Sequence, residues 1–165
     1  MRGEVMTGNE KKHSLIGCLF RLATVAVAVY GAVTAAKQVM ARLSRRLEEE
    51  NEGAKEKRFF TGLKTREICL EDEAVSALDM TVIAACVEAD LSDAVLSGET
   101  FVKVRSLGGN VLLKVPAMVR VVLDGKGVVC GFSNQVPNYE DESLPVIYVN
   151  AESIGACLKI KIGEE

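Results

Sequence analysis

FVKVRSLGGNVLLKVPAMVRVVL, residues 101–123, decides the fold. Val102 and Val104 alternate with Lys103 and Arg105, and Val111, Leu113 and Val115 share one face with Lys114 on the other. Val119, Val121 and Leu123 then alternate with Arg120 and Val122. A period of two, apolar in and often basic out, marks strands with one buried face. The pattern returns at Leu158, Ile160 and Ile162, between which stand Lys159 and Lys161. No stretch between residues 77 and 165 carries an apolar helical face, so this region reads as all-β. The breaks Ser97-Gly98, Gly108-Gly109-Asn110, Asp124-Gly125, Ser133-Asn134 and Pro137-Asn138 are built from turn-formers.

The strands also repeat loosely. ACVEADL at 85–91, GNVLLKVP at 109–116, GVVCGF at 127–132 and ACLKIKI at 156–162 each set a small residue before a short apolar strand. Uneven offsets suit stacked rungs joined by loops of varying length, while a sandwich of hairpins fits the alternation nearly as well.

Toward the N-terminus lies SLIGCLFRLATVAVAVYGAVTAA, Ser14 to Ala36. As a helix this run reaches roughly 34 Å, enough for a hydrocarbon core of about 30 Å. Arg21 interrupts it, about two turns inside the edge, from where its long side chain reaches the headgroups. A secretory signal with Lys11 and Lys12 as its basic region, or a buried helix, are the other readings. Val39, Leu43 and Leu47 then recur every four residues with Arg42, Arg45 and Arg46 between them, which favours an uncleaved membrane helix running on as a basic stalk. Basic residues are more numerous after the run than before it, which places the carried domain in the cytoplasm. The odd set Cys18, Cys69, Cys86, Cys130 and Cys157, without framework spacing, agrees with a reducing compartment.

Charge divides where hydropathy does. Residues 1–58 hold 11 Lys/Arg against 7 Asp/Glu, a net of +4, and residues 59–165 a net of −7. An acidic carried domain does not seek nucleic acid. The expected organisation is a tail at 1–13, a membrane helix and basic stalk at 14–47, a linker at 48–66 and a β domain at 67–165.

Catalytic chemistry finds little footing. His13 is the only histidine and sits at the membrane edge, away from any serine or cysteine of the carried domain. The cysteines lack zinc spacing, and Cys86, Cys130 and Cys157 read as buried, inert thiols among strand residues. Cys18 reads as a small hydrophobe, with acylation as the minor alternative. Glu71-Asp72-Glu73 and Glu140-Asp141-Glu142 lack the alternate spacing of a calcium loop, and Gly108-Gly109 lacks the Lys-Ser/Thr of a phosphate loop. Asp90 with Asp93 or Glu88 is the one carboxylate set that a carbohydrate-active enzyme would use. The sequence therefore nominates no catalytic, cofactor-binding or metal residue, and implies no cofactor.

Val87 to Leu123 resembles the C-terminal domain of LiaF-like proteins, the cell-wall-active antibiotic response family. The resemblance rests on Asp90-Leu91, Gly98-Glu99-Thr100, Gly109-Asn110-Val111, Val115-Pro116 and the valine strand Val119 to Leu123. It implies a toast-rack fold, a short right-handed β-helix-like stack, and makes Asp90 a turn residue. It also implies a bacterial, membrane-associated protein that senses or tunes cell-envelope stress, in some members by restraining a sensor kinase. This chain has one candidate membrane helix where family members with known roles carry several. The expected function is thus a single-pass, membrane-anchored, non-enzymatic binding or regulatory module. Its expected partners are membrane lipid and either a protein such as a membrane sensor or a second copy of itself. The alternatives are a self-assembling scaffold at the membrane or the carbohydrate-active enzyme.

Overall fold

Among the described residues, segments with alternating apolar side chains form seven strands of a single sheet, and every pairing between them is parallel. The computed structural model describes residues 10–163, with side chains from residue 30 onward apart from Ser97. Helix α1 spans Glu10–Asn51. The strands are β1 Glu56–Gly62, β2 Thr65–Cys69, β3 Ala74–Asp90, β4 Val95–Val115, β5 Arg120–Val128, β6 Gly131–Asn134 and β7 Val146–Ile162. Parallel neighbours cannot be joined by tight hairpins, so the hairpin sandwich is excluded.

The sheet order is β1-β3-β4-β7-β5, with β2 continuing beside β3 and β6 beside β7. Five rungs result. The C-terminal strand β7 is inserted between β4 and β5, which leaves residues 120–134 as the terminal rung.

Each rung bends at one place. Leu63, Ala84, Gly108, Gly155 and Val129 all have positive φ, at 57°, 46°, 71°, 60° and 51°. The register pairs the residues just before them, Gly62 with Ile83, Ile83 with Leu107, Leu107 with Ile154, and Ile154 with Val128. The five corners therefore form a column through the stack. The corner shifts the alternation by one residue, so that both arms of a rung face the same core. In β3, Leu78, Met80 and Val82 point inward before Ala84, and Ala85, Val87 and Ala89 after it. In β4 the inward sets are Val102 and Val104, then Val111, Leu113 and Val115. These residues, with Val149, Ala151, Leu158 and Ile160 of β7, make one continuous core.

Three of the expected turns are strand interior, Ser97-Gly98 in β4 among them, and Ser133-Asn134 ends β6. Gly108-Gly109-Asn110 lies within β4 and Asp124-Gly125 within β5. Glycine serves at the first because the backbone turns a corner and a Cβ on Gly109 would lie 1.9 Å from the Ala85 carbonyl oxygen. The stretch expected as a linker, 48–66, instead holds the end of α1, all of β1 and the start of β2. Its inward positions Lys57 and Arg66 are charged, which hid the strand pattern from a hydropathy reading.

The chain divides into two compact units, residues 1–39 and 40–165. Among the described residues no helix is long and apolar enough to cross a membrane. The helical backbone of α1 carries the Ser14–Ala36 run, but the side chains up to residue 29, including those of His13, Cys18 and Arg21, lie outside the described ones.

Within the second unit the last turns of α1 cover the β1 edge. The face used is Met40, Ser44, Leu47 and Asn51, spaced at i, i+4, i+7 and i+11. The expected stripe Val39-Leu43-Leu47 is displaced, since Val39 is 64% and Leu43 42% exposed. The physical reason is that a sheet edge presents unpaired peptide groups and wants hydrogen-bonding side chains. Ser44 Oγ donates to the Phe60 carbonyl at 2.5 Å, and the Asn51 amide bonds both backbone groups of Arg58. Asn51's own carbonyl accepts from the buried Lys57 Nζ at 2.9 Å.

Candidate functional site

The outer face of the first arm carries the most distinctive side-chain arrangement among the described residues. Because the rungs are in register, outward residues line up in rows about 4.8 Å apart per step. One row is Ala77, Phe101, Tyr148 and Val122, in which the Phe101 and Tyr148 rings stack at 5.3 Å. Polar rows follow, where Arg105 Nη2 pairs with Asp79 Oδ2 at 2.5 Å. The row next to the corner is aliphatic: Ile83, Leu107, Ile154 and Val128. Leu107, Ile154 and Val128 are 52%, 56% and 63% exposed, although outward strand positions in water usually carry polar groups. The ridge borders a shallow groove of about 560 Å³ whose other wall includes Thr81, Arg105, Glu152 and Lys126. Behind it, Ser106 and Ser153 satisfy each other inside the core by a 2.6 Å hydroxyl contact.

A contiguous aliphatic row with a charged border suits docking of apolar side chains from another macromolecule. Sequence reading missed it, because each residue alone looks like an ordinary strand apolar residue. The signal was there in the phase slip: Ile83, Leu107, Ile154 and Val128 each stand immediately before a corner residue, on the wrong parity for the core.

A second feature lies between the end of α1 and the first rung, a cleft of about 730 Å³ bordered by Glu48, Lys57, Phe59, Arg66 and Glu73. Four of its charged residues form two ion pairs. Lys57 Nζ lies 2.5 Å from Glu73 Oε2, and Arg66 Nη2 lies 2.6 Å from Glu48 Oε1. The Arg66 guanidinium also sits 5.3 Å from the centre of the Phe59 ring. These contacts bind the helix end to the rung.

Of the carboxylates nominated for an enzyme, Asp90 and Glu88 are engaged in hydrogen bonds and ion pairs. Asp90 Oδ1 accepts from Ser92 N at 3.0 Å and from Ser92 Oγ at 2.6 Å, closing a turn. Lys114 Nζ reaches Glu88 Oε1 at 2.7 Å and Asp90 Oδ2 at 3.2 Å, so one cation holds both acids. Burial raises the Asp90 pKa, but the Ser92 hydrogen bonds and Lys114 outweigh it and the net shift is downward. The Lys114 ammonium is pushed up by its hydrogen bonds to Glu88 and Asp90. Asp93 contributes its backbone carbonyl to Asp72 N. Asp141 is likewise a turn residue, accepting from Ser143 N and Oγ, which lower its pKa.

The thiols differ from expectation. Cys86 and Cys157 are exposed and Cys130 half-buried, as free cysteines, and Cys69 is exposed as well. The corner explains the difference: Ala85 and Ala156 take the inward places, which turns the next residue out. Among the described residues no three His, Cys, Asp or Glu side chains converge to hold a metal ion.

No protein-family model, curated protein or solved structure matches this chain.

Proposed function

We propose that this chain is a membrane-anchored, non-enzymatic binding or regulatory module that docks a protein partner through the Ile83-Leu107-Ile154-Val128 ridge. The observation that carries the reading is the exposure of that aliphatic row, bordered by charged side chains, on the outer face. Four side chains at rung spacing make a ridge of about 14 Å, the right scale for one amphipathic element of a partner. The anchor is the Ser14–Ala36 run, supported by its length and hydropathy and by Tyr30 and Val33, which are 73% and 42% exposed on α1. The β unit is proposed as a right-handed toast-rack stack at the cytoplasmic membrane face, acting in an envelope-stress response. Its parallel rungs and the Val87–Leu123 resemblance support that assignment.

The test combines Leu107→Asp with Ile154→Asp in the full chain. Both side chains are largely exposed, so the melting temperature is expected to stay close to wild type. Induction of an envelope-stress reporter is expected to match that of the deletion strain. A double variant that regulates normally while the deletion does not overturns the ridge. A deletion without any envelope phenotype overturns the regulatory reading. For orientation, a thiol introduced by Ser133→Cys in a chain lacking its native cysteines is expected to resist impermeant reagents in intact cells. Labelling there places the β unit on the outer side.

A further inference from the structure

The two ends of the stack differ. The β1 edge is closed by Ser44 and Asn51, whereas among the described residues the terminal strand β5 has a strand neighbour on one side only. Val122, Val128 and Val129 on that rung are 51%, 63% and 87% exposed. Such an edge is a template for another strand unless charge or shape blocks it.

The sequence of β5, RVVLDGKGV, is self-complementary in one register. Run antiparallel to itself about Gly125, it sets Asp124 opposite Lys126 of a second copy and Lys126 opposite that copy's Asp124. In the same register Val122 meets Val128, and Val128 meets Val122. The backbone agrees. Arg120 N–H donates to the Pro145 carbonyl on the β7 side, so by alternation Val122, Asp124, Lys126 and Val128 also turn their peptide groups toward β7. Val121, Leu123, Gly125 and Gly127 turn theirs to the open edge, where this register sets Leu123 opposite Gly127 and Gly125 opposite its own copy. The charged and valine pairs then fall at the non-hydrogen-bonded sites, where facing side chains come closest. Gly125 stands on the two-fold axis. Its missing Cβ is required on the inner side, where it would meet the Phe132 ring at 2.8 Å, and it leaves the crossing strands free to approach.

We infer that two copies of this chain join by antiparallel pairing of β5 about Gly125, making one stack of twice the length. In the single chain Lys126 and Asp124 lie 3.4 Å apart, both largely exposed, and exchange partners across the two-fold. A charge on an edge strand ordinarily deters pairing, but here the deterrent is cancelled in this register alone. This interface goes beyond the docking ridge, with which it shares only Val128.

Light scattering of the full chain in detergent tests it. Wild type is expected to be a dimer at micromolar concentration. Asp124→Lys and Lys126→Asp each set like charges opposite one another at both pairs, and each is expected to weaken the dimer roughly tenfold or more. The double exchange Asp124→Lys with Lys126→Asp is expected to restore it. As a second measurement, Val122→Cys and Val128→Cys are each introduced into a chain lacking its native cysteines, and the two are mixed and oxidised. A disulfide-linked dimer is expected in the mixture and not from either variant alone, since the facing Cα atoms lie about 4.5 Å apart. A wild-type monomer, a dimer insensitive to the single exchanges, or cross-linking of one variant with itself overturns the proposal.

Discussion

Asn51 pairs with Arg58 as a strand would: its Oδ1 accepts from Arg58 N and its Nδ2 donates to Arg58 O, each at 2.7 Å. One side-chain amide thus substitutes for the missing neighbour of β1. Asn51→Ala removes both bonds and leaves two peptide groups of a partly covered edge unpaired. The expected loss is about 2–4 kcal/mol, read as a lower midpoint in urea unfolding. Asn51→Asp keeps the acceptor only and is expected to fall between. Equal midpoints for Asn51→Ala and wild type mean that α1 does not close the edge.

Leu113 and Lys114 are sequence neighbours with opposite fates. Leu113 is fully buried, and Leu113→Ala is expected to cost about 2–5 kcal/mol. Leu113→Lys buries a charge without a partner and is expected to prevent folding. Lys114→Leu leaves Glu88 and Asp90 without their shared cation, so a smaller loss is expected along with greater self-association. Thermal melts followed by circular dichroism compare the three, and matching melts for the Leu113 and Lys114 variants contradict the assigned faces.

The corner column makes a prediction with two signs. Ala84 holds φ 46° with a Cβ, and Ala84→Gly relieves that strain, for an expected gain of up to about 1 kcal/mol. Gly109→Ala drives a methyl into the Ala85 carbonyl at φ 99°, for an expected loss of about 2 kcal/mol or more. The check is chemical denaturation of both variants. A stabilised Gly109→Ala chain means that the corner is misplaced.

The Asp90 carboxylate sets an acid limit. Its folded pKa lies below the ordinary value of 3.8, so its contribution is present above that value and is lost as pH falls through the folded pKa. Asp90→Asn is therefore expected to be less stable than wild type at pH 7, with the gap closing below about pH 3. Lys114 runs oppositely: its folded pKa lies above the ordinary 10.5, so its contribution persists at neutral pH and fades only in strong alkali. A gap between Asp90→Asn and wild type that is constant from pH 7 to pH 2 shows that the carboxylate charge is not the cause.

In the segments whose alternation it displayed, sequence alone determined the inward and outward residues, because side-chain direction in a strand alternates with period two whatever the neighbours are. Val102, Val104, Val111, Leu113, Val115, Leu158 and Ile160 are all buried as that alternation requires. It also marked the chain from Ala77 onward as strand-rich. Which strand lies beside which was decided only in three dimensions. The insertion of β7 between β4 and β5 rests on backbone hydrogen bonds, and these carry no side-chain identity. The corner column was hidden for a related reason: three of its five members are Leu63, Ala84 and Val129, residues that do not announce a left-handed backbone. The ridge and the helix cap needed the fold as well. An apolar residue reads as core until its parity is known, and Ser44 and Asn51 read as a solvated helix face until a sheet edge is brought against them.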